Sequence, residues 1–131
     1  MRKNILLLAL LAALLLTGCG QGKDLDLTFV IPAGNGDTVI YAEECLLPQS
    51  RTLTVIPAAD TPTGTLRLEA LLAEEAGAYD TSAPLVAEAP VKLAVKRNGW
   101  FRLGVCVPNP TEEDITVTLT AKNVILAISC S

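Results

Sequence analysis

The chain has 131 residues, 50% apolar and 4% aromatic, with 10 Lys and Arg against 14 Asp and Glu. That is room for one domain, and its few, scattered cations argue against a nucleic-acid partner. It contains no histidine, which removes the commonest general base, the commonest metal ligand and the usual pH switch.

Arg2-Lys3 opens the chain with positive charge, and Ile5 to Leu16 is an unbroken apolar run of 12 residues. A spanning helix needs roughly 20 such residues, so the run has the length of a signal-peptide core instead. It ends in Leu16-Thr17-Gly18-Cys19. This stretch resembles the lipobox of bacterial lipoproteins, in which a branched apolar residue and two small residues precede a cysteine. Small side chains let an extended backbone enter a protease cleft, and a thiol can carry a thioether-linked diacylglycerol. The resemblance implies cleavage between Gly18 and Cys19, loss of residues 1–18 as a signal helix, and covalent lipid on Cys19. No other cofactor is implied. It places the protein in the cell envelope, on the outer face of the cell membrane or on the outer membrane. In a cell with two membranes, Gly20 in place of an aspartate favours the outer one. Residues 19–23 form a tether that holds the domain within roughly 20 Å of the bilayer. The mature part keeps 8 Lys and Arg against 14 Asp and Glu, a net of −6, which suits an exported soluble surface.

From Asp24 to Ile31 the chain alternates, with Leu25, Leu27, Phe29 and Ile31 on one face, the period of a half-buried strand. A turn cluster, Pro32 to Asp37, follows. Thr38 to Leu47 reads as a second strand and Thr52 to Ile56 as a third, separated by Pro48-Gln49-Ser50. The Leu, Glu, Ala and Arg of 65–75 suit a helix on propensity, but Leu66, Leu68, Ala70 and Leu72 alternate, and a strand is predicted. Residues 77–89 read as the longest loop. Val91, Leu93 and Val95 alternate with polar neighbours, and Arg97-Asn98-Gly99 predicts a hairpin into Trp100 to Val107. Ile115 to Leu119 is a clean strand, continued by Val124 to Ile128. Seven to eight short strands at this spacing, in one domain over 24–131, predict an all-β, antiparallel β-sandwich.

Two segments share a further pattern. "AEECLL" puts Cys45 after an acidic pair, and "NGWFRLGVCVPNPTEEDITVTLT" puts Cys106 between an aromatic pair and an asparagine turn. Together they resemble the GOLD domain of the emp24/p24 family across residues 24–121. That resemblance implies the sandwich fold and a Cys45–Cys106 disulfide between its sheets. The cysteine count alone leaves Cys45, Cys106 and Cys130 after Cys19 takes lipid, with three single pairings open in an oxidising compartment. With Cys45–Cys106 closed, about 60 residues would be looped for about 4 kcal/mol, and Cys130 would be the free thiol.

Catalysis is hard to build without histidine. The carboxylate runs Glu43-Glu44, Glu74-Glu75 and Glu112-Glu113-Asp114 read as solvated surface. Asp24, Asp26, Asn35 and Asp37 offer oxygen ligands without calcium-loop spacing, and too few thiolates remain for zinc, so no metal is expected. The expected function is a non-enzymatic, membrane-anchored module that binds a protein or envelope component through the surface around Trp100 and Arg102. A small-ligand or glycan-binding lipoprotein, using Trp100 and residues 77–89, is the alternative. A thiol-linked envelope protein acting through Cys130 is the third.

Overall fold

A computed structural model describes residues 22–127 except 74 and 76. The signal segment, Cys19 and Cys130 lie outside the described residues. Among those described, every regular element is a strand: β1 (Lys23–Ile31), β2 (Ile40–Tyr41), β3 (Cys45–Pro48), β4 (Thr52–Pro57), β5 (Gly64–Ala70), β6 (Thr81–Leu85), β7 (Val91–Ala94), β8 (Phe101–Cys106) and β9 (Ile115–Ala127). All ladders are antiparallel. The fold is the all-β antiparallel architecture that the alternation predicts.

The sheet is nearly closed, with two walls that share β9. One wall runs β7-β4-β9-β1 and the other β6-β5-β8-β3-β9, with β2 also on β8. Ile115 to Ala121 of β9 pair with β1, and Val124 to Ala127 pair with β3. Between these segments the strand bends at Asn123, whose φ is 57°, a left-handed conformation that asparagine tolerates better than most residues. Inward positions alternate along β1, β4, β5 and β7 as a half-buried pleat requires. Leu27, Phe29, Leu66, Leu68, Phe101, Leu103 and Leu119 are all buried in one core.

Three local expectations change. First, β7 pairs with β4, while β8 pairs with β5, β3 and β2, so residues 97–99 cross between walls and make no hairpin. The two-residue hairpin turn needs positive φ at both central residues; Gly99 has it, at 133°, and Asn98 does not. Second, the predicted loop over 77–89 contains β6, an edge strand on β5. Its Pro84 lacks a donor and is tolerated there because an edge strand leaves one side unpaired. Third, the strand predicted over 38–47 is broken into β2 and β3.

Two buried asparagines fasten the end of β1 to the end of β8. Asn109 Nδ2 donates to the carbonyls of Ile31 (3.2 Å), Pro32 (3.2 Å) and Glu113 (2.8 Å). Its Oδ1 accepts from the Thr111 amide at 3.1 Å and from the Thr111 hydroxyl. Asn35 Nδ2 donates to the Val107 carbonyl at 2.8 Å, and the Asn109 amide donates to the Asn35 carbonyl at 2.7 Å.

Candidate functional site

The outward positions of β5, β8 and β2 build the most organised polar surface. Register sets Glu69 opposite Arg102, and sets both Arg67 and Tyr41 opposite Gly104. A Cβ at Gly104 would lie 2.6 Å from Val39 Cγ1 and 2.9 Å from the Tyr41 ring. The glycine therefore lets Tyr41 lie flat across β8. From there Tyr41 donates its hydroxyl hydrogen to Glu69 Oε2 at 2.7 Å. The Arg102 guanidinium sits 3.7 Å from the Tyr41 ring centroid and 2.9 Å from Glu69 Oε1, a stacked and ion-paired arrangement. Arg67 pairs with Asp80 at 2.8 Å.

These contacts set the titration of the cluster. Burial, followed by the bond to Glu69, pushes the Tyr41 phenol up. The hydrogen bond to Asp80 raises Arg67. Burial alone would raise Glu69, but the bonds from Tyr41 and Arg102 outweigh it and hold the carboxyl below its ordinary value. A carboxyl lowered by folding stabilises the fold above its unfolded value, and the gain is lost as pH falls through the folded value. Denaturation at pH 7 and below pH 4.5 should therefore show wild type losing more stability than Glu69→Gln. The excess should be under about 1 kcal/mol, because the pairs are partly exposed. An equal loss in both proteins would show that Glu69 is not stabilised by its neighbours.

Beside this cluster lies a shallow cleft of about 330 Å³, lined by Val39, Thr65, Arg67, Asp80, Thr81, Ser82 and Cys106. It offers hydroxyls, one guanidinium–carboxylate pair and a thiol. The Cys106 Sγ–H points to the Asp37 carbonyl at 3.3 Å.

Trp100 and Arg102, singled out from sequence, stand two residues apart, one just before β8 and the other within it. Trp100 precedes β8 and is 37% exposed, and its carbonyl accepts from the Leu71 amide at 2.9 Å. Arg102 is already engaged by Tyr41 and Glu69. The four oxygen-bearing residues are dispersed. Asp24 pairs with Lys122 and accepts from the Asn123 amide, Asp26 accepts from Thr120, and Asn35 uses its amide on backbone carbonyls. Among the described residues no cluster of His, Cys, Asp or Glu could hold a metal ion.

The expected Cys45–Cys106 disulfide is overturned, since Cys106 is a free thiol. Leu46 pairs with Phe101, which sets Cys45 beside Arg102, four residues along β8 from Cys106. At about 3.3 Å per residue that is about 13 Å, against the 7 Å or so that bridged Cα atoms can span. Thiol labelling of the oxidised, folded protein should modify Cys106 and leave Cys45 unmodified, and Cys106→Ser should change stability by under about 0.5 kcal/mol. Protection of Cys106 from the reagent in non-reducing buffer only would restore a bridge at that position. Cys19 and Cys130, the proposed lipid carrier and the expected spare thiol, lie outside the described residues.

Tyr41, Arg67, Glu69 and Asp80 were not singled out from sequence. The signal available was that Arg67 and Glu69 alternate with Leu66 and Leu68, which gives their face but not their cross-strand partners.

No family model, curated protein or solved structure matches this chain.

Proposed function

We propose that this protein is a lipid-anchored, extracytoplasmic domain of the bacterial cell envelope. It works without catalysis, by binding another protein or an envelope component. One observation carries the reading: Leu16-Thr17-Gly18-Cys19 stands immediately before an all-β domain whose first strand begins at Lys23. An apolar leader of this length, then small residues and a thiol, then a short tether into a folded domain, is the arrangement that lipid attachment needs. Two or more acyl chains, at about 0.8 kcal/mol per buried CH₂, make such anchoring stable. The test is expression of the full chain in a bacterial host. Wild type should carry acyl mass on a chain starting at Cys19 and enter the detergent phase, and Cys19→Ser should lose both. A wild-type mass without acyl groups, or equal detergent partition of the two proteins, sinks the reading.

A second reading, binding of a small polar ligand or glycan, is favoured by the cleft beside Arg67 and Asp80 more than by Trp100. Thr65, Thr81, Ser82 and the ion pair supply hydrogen-bonding groups on one side, and Val39 supplies an apolar contact. Chemical-shift changes confined to these residues on glycan titration would favour it over protein binding.

A disulfide remains part of the proposal, with a different pairing: Cys45 to Cys130. Cys106 is free, and Cys45 is not among the free thiols. Cys45 alternates with the core residue Leu46 yet is only 4% exposed. Its register partner is Ala127, three residues before Cys130. Peptide mapping under non-reducing conditions should recover the two cysteines in one linked fragment.

A further inference from the structure

The two ends of the sandwich differ in charge. Loops 32–39, 58–63, 86–90 and 108–114 close one end. They carry Asp37, Asp60, Glu88, Glu112, Glu113 and Asp114 and not one Lys or Arg. The other end gathers loops 49–51, 71–80 and 95–100 with the start of β1 and the bend of β9. Backbone bonds tie these together: Gln49 N to Asn123 O at 3.1 Å, Val95 N to Arg51 O at 2.8 Å and Leu71 N to Trp100 O at 2.9 Å. Lys23, Arg51, Lys96, Arg97 and Lys122 all lie here, five of the eight cations of the mature chain. Two of the acids at this end, Asp24 and Asp80, are paired with Lys122 and Arg67. Glu75 is exposed and unpaired by salt bridge among the described residues, and Glu74 adds a further acid by sequence.

The same end carries exposed apolar surface. Leu72 is 96% exposed, held outward on a left-handed backbone with φ of 56°, and Trp100 and Tyr79 are each 37% exposed. Arg97 lies 5.1 Å from the Tyr79 ring centroid. Gly22 sits here too, so close to Asn123 that a Cβ would meet its backbone at 2.6 Å. The chain therefore leaves the domain at this end, three residues after Cys19.

We propose that this end, with Trp100, Leu72, Arg51, Lys96 and Arg97, rests on an anionic bilayer surface, and that the acidic end faces away from it. The inference rests on the lipid anchor at Cys19. Three residues span at most about 11 Å, so an anchored domain presents this end to the headgroups. Tryptophan is favoured at the membrane–water interface because its ring is apolar and its N–H is polar. Cations near an anionic surface each contribute about 1 kcal/mol, roughly fivefold in surface affinity. The acidic end is repelled by the same field, so both ends favour one orientation.

Trp100 is the only tryptophan, so its fluorescence reports this contact without substitution. The full chain, with acyl mass verified, is reconstituted into vesicles of equimolar phosphatidylglycerol and phosphatidylcholine brominated near the headgroup. Emission should shift to the blue and lose intensity to the bromines, as for an interfacial indole. Quenching should fall in pure brominated phosphatidylcholine and in the triple variant Arg51→Glu, Lys96→Glu, Arg97→Glu, whose fold is checked by circular dichroism. Acylated protein with unquenched Trp100 overturns the orientation and leaves the anchor standing. Equal quenching in neutral and anionic vesicles overturns the anionic surface. Absence of acyl mass removes the anchor and the orientation with it.

Discussion

Asn109→Ala is expected to destabilise the protein by about 3 kcal/mol, enough to lower the midpoint of thermal unfolding by about 10 °C. Asn109 is fully buried. Its two amide hydrogens are shared among the carbonyls of Ile31, the last residue of β1, of Pro32 just after it, and of Glu113, two residues before β9. Truncation removes three hydrogen bonds where water has poor access, at about 1 kcal/mol each; the Pro32 carbonyl keeps the Asn35 amide and the Glu113 carbonyl keeps the Thr111 hydroxyl. Thr111 also loses its acceptor. Asn109→Asp is the sharper comparison: it keeps the acceptor, removes the donor and buries a charge, so it should be no more stable than the alanine. Asn98→Ala, at an exposed position, should be nearly neutral. Urea denaturation should show a lower midpoint with an unchanged slope, as for a change in stability alone. A shift at Asn109 no larger than at Asn98 would show that the seam is held by the core and not by this side chain.

The strands that carry their own evidence were legible. In β1, β7 and β8 apolar and polar residues alternate, and a period-two pattern over a half-buried surface has one physical reading. The same local rule placed Leu66 and Leu68 on a strand against a composition that suits a helix, because the alternation outweighed small propensity differences. What failed was pairing. Residues 97–99 contain a strong turn signal, yet β7 finds its partner in β4, through Val55 opposite Val91. Turn chemistry acts over a few residues, whereas wall membership is decided by which apolar faces close one core. β6 was missed because Thr81, Ser82, Ala83 and Pro84 are weak strand residues; the ladder of β5 beside them imposes the conformation.

The polar site was less legible still. Tyr41 and Gly104 meet across β2 and β8, and the meeting depends on the absence of a side chain at Gly104. Arg102 attracted attention as a cation next to a tryptophan. Its partners are instead Glu69, 33 residues earlier, and the ring of Tyr41. The two ends of the sandwich illustrate the same limit in reverse. Lys23, Arg51, Lys96, Arg97 and Lys122 look scattered along the chain, and only the antiparallel topology, which returns alternate loops to one end, gathers them.

Cys45→Ala, or reduction of the wild type, is expected to cost about 4 kcal/mol and to lower the unfolding midpoint by about 15 °C. A bond from Cys45 to Cys130 closes a loop of 86 residues by numbering, and the entropy removed from the unfolded chain rises slowly with loop length. The native side of the balance is favourable as well, since Cys45 is buried next to Ala127, the partner strand's last residue. The pairing makes three variants diverge. Cys45→Ala and Cys130→Ala should be equally destabilised and insensitive to reductant. Cys106→Ser should match wild type in both its midpoint and its response to reductant, because its thiol is free. If Cys130→Ala alone were as stable as wild type, Cys45 would have to be held by Cys19, and that cysteine could not then carry lipid. The stability of one strand position therefore tests the envelope anchor: a bridge to Cys130 leaves Cys19 available for acylation, and a bridge to Cys19 excludes it.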